Sequence, residues 1–377
     1  MSGRVIVVGS VNIDLVARVP HLPHPGETVT GVSFDRHNGG KGGNQAVAAA
    51  RLRRPTLFIG AVGDDTFEKE ARRALSSERV DVSMVASLPG QPTGVALILV
   101  DATGENQIAV VPGANGAIEP GYVRDSLARL GPLTGDVMLV CNEVSLHVVR
   151  EALLCGHAAG ATTILNPAPA IGIDRSTFGL ADIVTPNRTE LATLLQNDAP
   201  RTGRKAEATT PDATARARSL LEAGPDGPGV RKAVIVTLGA SGVMVFERIG
   251  SGLGGVAAAP IAAPIAAPIA APIADPIAAP IAAPIAAPIA APASGARDGD
   301  IRIWEVPADS VATIDSTGGG DAFCGALAAA LAEGRSLAEA VRRAVAAAAL
   351  ATTHVGAREG MPTLAELEEF LAARPAV

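Results

Sequence analysis

The chain of 377 residues is 48% hydrophobic and 18% charged, ample for one large buried core with an attachment. Aromatic residues make up only 2% and the formal charge is −7, which opposes both base stacking and the cation surplus that nucleic-acid binding requires. Cys141, Cys155 and Cys324 lack CxxC spacing, so neither a disulfide framework nor a zinc site is supported, and a reducing, cytoplasmic setting is expected.

The apolar run Val5 to Val8 reaches polar Asn12 and Asp14 too soon for a signal peptide. Val5 to Val8, Thr56 to Ala61, Asp136 to Val140, Thr162 to Leu165, Asp182 to Val184 and Lys232 to Thr237 read as buried strands. Gly43 to Arg51, Thr66 to Ser76, Pro120 to Leu130, Leu146 to His157 and Ala213 to Glu222 read as the helices between them. This βαβ rhythm predicts an α/β fold with a doubly wound, mostly parallel sheet, helices on both faces, and a ligand site beyond the carboxyl ends of the strands.

Two stretches break the rhythm by alternating polar and apolar residues: Leu15 to Val19 with Thr28 to Phe34, and Gly94 to Val100 with Gln107 to Val111. Half-buried hairpins of this kind cannot lie inside a helix-covered sheet, so they are expected to form a small antiparallel lid, drawn from about 12–36 and 92–112, over one end of a single domain. From about 256 to 296 runs an insert in which Ala259 to Pro292 repeats Ala-Ala-Pro-Ile with one variant at Asp275. Proline every fourth residue rules out a membrane helix and favours an extended polyproline-II rod, about 100 Å long at about 3.1 Å per residue. A four-residue period turns successive prolines off any one face, so a passive extension is expected rather than a ligand for a proline-binding partner.

The most informative segment is Asp315-Ser316-Thr317-Gly318-Gly319-Gly320-Asp321, which opens a long Ala-rich helical pattern. Glycines before a helix let the backbone approach a ligand, and the free N–H groups there attract anions such as a migrating phosphoryl group. Asp321 in the first turn can accept the proton of an attacking hydroxyl, or it can merely complement the helix dipole. A second cluster, Asn38-Gly39-Gly40-Lys41-Gly42-Gly43-Asn44-Gln45, would let a small polyol press against main chain, with Asn12, Asp14, Lys41 and Asn44 supplying directional hydrogen bonds. Within Thr185-Pro186-Asn187-Arg188-Thr189-Glu190, Asn187 and Glu190 read either as a capping pair or as a carboxylate holding the water shell of Mg2+. No HExxH occurs among the six histidines and no GxxxxGK[ST] anywhere, which excludes a zinc hydrolase of that type and a Walker loop.

Taken together, Val8-Gly9-Ser10-Val11-Asn12-Ile13-Asp14, the stretch Gly39 to Arg51, Gly104 to Gln107 leading to Pro112-Gly113-Ala114-Asn115, Asn166 to Pro169, Thr185 to Glu190 and Asp315 to Asp321 resemble, in order, the signatures of the ribokinase-like carbohydrate kinase family. The resemblance covers nearly the whole chain apart from the repeat. It implies ATP-dependent phosphorylation of a sugar, D-ribose at its 5-hydroxyl, with another sugar or a nucleoside as the alternative; a non-catalytic sugar-binding scaffold is a reading of another class. On it, Asn12, Asp14, Gly39, Gly40, Lys41, Asn44 and Glu143 would line the sugar pocket, Asp321 would be the general base, and Gly318, Gly319 and Gly320 would supply the anion hole. Asn187, Thr237, Gly239, Gly242 and Gly320 would touch ATP, and Glu190 would serve Mg2+ through water. K+ would be held by Asp315, Thr317 and the backbone near Ala351, His354, Gly356 and Gly360. The expected partners are the sugar and ATP, with no nucleic acid or membrane, and a second copy of the chain joined through the lid. The chain departs from the family at Gly319, where alanine is usual, at Cys141-Asn142 before Glu143, at Val345 near the adenine, and at Gly360, where serine is frequent.

Overall fold

The computed structural model describes residues 3–196, 213–222, 229–250 and 296–373; the Ala-Ala-Pro-Ile repeat and its expected rod lie outside them. In chain order the strands are β1 (Val5–Val8), β2 (Asn12–Arg18), β3 (Ser33–Gly39), β4 (Thr56–Gly63), β5 (Val80–Leu88), β6 (Gly94–Val100) and β7 (Asn106–Val111). They continue with β8 (Val137–Cys141), β9 (Thr162–Asn166), β10 (Ile183–Val184), β11 (Ala233–Thr237), β12 (Val243–Arg248), β13 (Ala296–Asp298) and β14 (Ile301–Val306). The large sheet has the order β13-β14-β12-β11-β10-β9-β8-β1-β4-β5. From β5 to β11 every neighbouring pair is parallel, and β12, β14 and β13 close that edge as an antiparallel meander.

The strand period of two splits the apolar residues between two cores. Val5 and Val7 face a core built with the helices Lys41–Arg51, Gly319–Ala332 and Leu337–Ala351. Ile6 and Val8 face a second core with the helices Pro120–Leu130, Leu146–Ala158 and Ala213–Leu221. Burial on both faces explains why these strands read as continuous apolar runs. β1 lies between β4 and β8, so the chain's winding reverses beside it and a crevice opens beyond its carboxyl end. There Ser10 Oγ donates to Glu143 Oε2 at 2.5 Å, joining the ends of β1 and β8.

The lid is a four-stranded sheet of order β3-β2-β6-β7. Both hairpins are antiparallel, but they are joined by a parallel pair, β2 with β6, so the lid is mixed at its centre. The first hairpin also departs from expectation, because β3 begins at Ser33 rather than near Thr28. Pro20, Pro23 and Pro25 withhold donors from the intervening loop, and the apolar residues that suggested a half-buried strand are in fact exposed, Val32 by 76% and Phe34 by 65%. The described residues include no helix long and apolar enough to cross a membrane.

Candidate active site

Two helices bring the ends of the chain together. Gly325 in the helix Gly319–Ala332 lies so close to the helix Lys41–Arg51 that a Cβ there would stand 2.5 Å from Ala48 Cβ and 2.6 Å from the Gln45 carbonyl oxygen. At that crossing Asn44 Nδ2 donates to Asp321 Oδ2 at 3.0 Å, and Gln45 Nε2 donates to Asp321 Oδ1, also at 3.0 Å. Both oxygens of a buried carboxylate are therefore fixed, and each keeps lone pairs for a further donor. Gln45 Nε2 also reaches Asn166 Oδ1 at 3.1 Å, tying the pair to the end of β9.

Asp321 follows a turn in which Gly318 is left-handed, with φ 78°, and a Cβ on it would meet Ala357 Cα at 2.8 Å. Gly319 and Gly320 differ: a Cβ at Gly319 would find Thr352 at an ordinary 3.5 Å, and one at Gly320 would meet nothing within 4 Å. Two cavities converge on this turn and share Ser316, Gly320 and Thr237. The larger, about 530 Å3, is mostly apolar, with Gly239, Gly242, Val311, Val345 and Ala349 among its lining residues. The smaller, about 240 Å3, is polar and bounded by Lys41, Asn187, Glu190, Gly318 and Asp321. Cys324 lines it beside Thr185 Oγ1 at 3.3 Å, and burial pushes its thiol up to about 12, away from the thiolate form.

On the lid side, Asn115 Nδ2 donates to Asn12 Oδ1 at 2.8 Å and its Oδ1 accepts from Val11 N at 3.0 Å, which leaves Asn12 Nδ2 to donate outward. Burial raises Asp14 to about 6, against the opposing pull of Arg358. Lys41 N donates to Glu143 Oε2 at 2.9 Å, and the Lys41 ammonium is held well above its ordinary range, chiefly by the Asp321 carboxylate. The glycines around Lys41 also meet a packing need: Cβ atoms at Gly39, Gly40, Gly42 and Gly43 would strike Asp14, Val11 and Asn12, Ser10, and Arg358 respectively.

Asn187 and Glu190 form the reciprocal cap: Asn187 N donates to Glu190 Oε2 at 2.8 Å and Glu190 N to Asn187 Oδ1 at 2.7 Å. Burial raises Glu190, and Lys41 partly offsets it. The cap uses Oε2 alone, and Glu190 also lines the polar cavity, so capping and service to a cation are compatible. Across the turn, Asp315 accepts from Thr317 N and Gly356 N, both at 2.9 Å, and joins the loops 314–317 and 351–360. Burial pushes its carboxyl up, but the Thr317 hydroxyl and these two backbone hydrogen bonds outweigh it and hold the group below the usual range. A Cβ at Gly360 would lie 2.5 Å from the Ala351 carbonyl oxygen and 3.1 Å from that of Gly356, so glycine there lets two carbonyls converge. His354 is exposed, with Nδ1 on Thr353 Oγ1 at 3.0 Å.

The sequence pattern of the pfkB family carbohydrate kinases matches residues 2–265 and 299–364, so its only interruption falls within the repeat-bearing insert. The chain belongs to this family. It is a sugar kinase, and its relatives include the ribokinase of Schizosaccharomyces pombe, 32% identical over 372 residues, 97% of this chain and 96% of that protein. Among solved structures, the ribokinase of Thermotoga maritima superposes with TM-score 0.73 at 28% identity, covering 98% of this chain and 99% of that one. Arabidopsis thaliana ribokinase complexed with ribose and ATP does so with TM-score 0.69 at 25% identity, covering 98% and 99%.

Within this pfkB-family kinase, sequence reasoning left several residues of the site unassigned. Gln45, Asn115 and Asn166 stand inside quoted motifs, but only the fold shows what they grip: the helix crossing for Gln45 and Asn166, the start of β2 for Asn115. Ser316 lines both cavities, although its place in the segment Asp315 to Asp321 gave it no role. Arg358 carries no motif at all: it is 5% exposed, donates from Nε to Asn44 Oδ1 at 2.9 Å and from Nη2 to the Gly39 carbonyl at 2.6 Å.

Proposed function

We propose that the chain transfers the γ-phosphoryl group of ATP to the 5-hydroxyl of D-ribose. The observation that carries this reading is Asp321, fixed at both oxygens by Asn44 and Gln45 at the turn where the two cavities meet. In it, the larger cavity takes the nucleotide, with Asn187 and Thr237, paired as a single bridge, at its junction with the smaller one. The sugar lies beneath the lid between Asn12, Asp14, Lys41, Asn44 and Glu143. Asp14 accepts from vicinal hydroxyls, which suits a polyol, and Asp321 takes the proton of the attacking hydroxyl. Backbone donors of Gly318 and Gly320 and the Lys41 ammonium oppose the charge on the phosphoryl oxygens, so catalysis rests on positioning and electrostatics; Gly319, expected beside them, gives its N–H to the Ser316 carbonyl at 3.3 Å. The lid excludes water that would otherwise hydrolyse ATP.

Glu190 and Asp321 offer hard oxygen donors at the polar cavity, as an ion bound through few carboxylates requires. Mg2+ bound there would neutralise phosphate charge, with Glu190 acting through water. The Asp315 carboxylate, Thr317 and the carbonyls gathered near Gly360, those of Ala351 and Gly356, suit K+, with His354 contributing main chain only. A cation among them would stiffen the loops behind the glycine turn.

The same reading includes a homodimer. Every residue of β7 is exposed, and Asp14, Ala96 and Val110 lie in one row of the lid's register. The face that carries Asp14 therefore continues outward as apolar Ile108 and Val110, 55% and 51% exposed, which a second lid would cover. Three free cysteines suit a reducing cytoplasm. ATP consumption measured against ribose, 2-deoxyribose, hexoses and nucleosides tests the assignment. Stimulation by ribose above all others is expected, and preference for a nucleoside would overturn it.

A further inference from the structure

We infer that Arg358 is a positioning residue of the phosphoryl-transfer site, holding the Asn44 amide in the orientation that fixes the general base Asp321. The inference rests on the kinase reading of Asp321 and adds a residue to it. Asn44 has one acceptor and two donor hydrogens. Arg358 Nε engages the acceptor Oδ1 at 2.9 Å, and this decides which end of the amide faces Asp321: Nδ2, which donates to Oδ2 at 3.0 Å. With the amide reversed, a carbonyl oxygen would face a carboxylate. One Nδ2 hydrogen then remains for a sugar hydroxyl.

The guanidinium is itself fixed from three directions. Its Nη2 donates to the Gly39 carbonyl at 2.6 Å, and Gly43 must lack a side chain, since a Cβ there would lie 2.3 Å from Nη2. Its main chain is clamped by Arg51, whose Nη1 donates to the carbonyls of Arg358 at 2.8 Å and Met361 at 2.7 Å while Nη2 pairs with Glu78 at 2.6 Å. Nη1 of Arg358 is buried with no hydrogen-bond partner among the described residues. A buried cation that leaves one nitrogen unsatisfied is a poor device for stability alone. The charge also has a local use: Asp14 is faced by Glu143 and Glu359 and by His37 and Arg358, and Arg358 is the largest influence favouring its ionised form.

The test compares Arg358→Lys and Arg358→Met with the parent chain, with concentrations taken from the folded fraction and rates measured at pH 8.5 on the sugar the parent prefers. A label on the asparagine side-chain amides reports the Asn44 Nδ2 hydrogens with no substrate present. We expect Arg358→Met to lower kcat at least tenfold with KM changed less than threefold, and to speed exchange of the Asn44 amide hydrogens. Arg358→Lys, which keeps the charge and one donor, is expected to fall between, and it carries the kinetic comparison if the methionine variant does not fold. Variants with parental kcat and an unchanged Asn44 amide would overturn the inference while leaving the kinase assignment intact. Failure of the parent to phosphorylate any sugar would remove that assignment, and the amide exchange would still decide whether Arg358 orients Asn44.

Discussion

Asp321 depends on its neighbours more than on its own place in the sequence. A carboxylate in the first helical turn can serve the helix dipole alone; two amide donors, one on each oxygen, and a polar cavity in front of it favour proton transfer. The three glycines before it separate cleanly by what a methyl group would meet. Gly319→Ala has room and removes backbone freedom from the unfolded chain, so it is expected to stabilise by about 0.4–1 kcal/mol in a denaturant titration, with kcat unchanged. Gly320→Ala also has room, but Gly320, unlike Gly319, lines both cavities, where the proposed phosphoryl transfer takes place, so stability is expected to hold while KM for ATP rises at least tenfold. Asp14 gives a pH signature. Because its folded value is raised to about 6, it is protonated in the native state where an unfolded aspartate is ionised; this contribution to stability is full below pH ~4 and lost as pH rises through 6. On the proposed assignment of Asp14 to the sugar, binding uses the ionised form, so KM for the sugar is expected to climb about tenfold per pH unit below 6. A flat KM between pH 5 and 7 would remove Asp14 from the sugar site.

The strands and helices of the large sheet were readable because burial on both faces leaves uninterrupted apolar runs, and Val5 to Val8 or Val137 to Cys141 have no polar residue to confuse them. β5 was not, since it alternates buried and exposed residues along an edge and carries Asp81, Ser83 and Ser87. Nor was the tight packing around the glycines at 39–43, because sequence shows that a side chain is missing without showing which protein atoms lie in its place. Arg358 was illegible because its partner Asn44 lies 314 residues away, and only the docking of the loop after the helix Leu337–Ala351 against the helix Lys41–Arg51 brings them together. The crossing itself can be tested. Gly325→Val would drive a branched side chain into Ala48 and the Gln45 carbonyl, which is expected to cost about 1–3 kcal/mol in thermal unfolding and to lower kcat further by displacing Gln45 from Asp321. A variant with parental stability would contradict the close approach.

On the scale of the whole molecule, the lid links the proposed sugar site to the surface. Phe34, Leu97 and Val111 stand on the lid face opposite Ile108 and Val110, so apolar side chains are exposed on both sides of the sheet. Sedimentation is expected to give twice the chain mass of 37.8 kDa, and the pair Ile108→Lys with Val110→Asp to give the single-chain mass with a raised sugar KM. A parent that sediments as one chain would remove the shared-lid arrangement. The order of the motifs along the sequence indicated that both ends of the polypeptide serve one site, and Asn44 and Asp321, 277 residues apart, meet at 3.0 Å. That meeting is tested most directly by sugar-dependent ATP turnover in Asp321→Asn, which keeps the shape of the side chain and removes its basicity. The account predicts that ribose-stimulated kcat falls about 10²–10⁴-fold while the fold and ATP binding are retained; ribose-dependent turnover within a few-fold of the parent would contradict it.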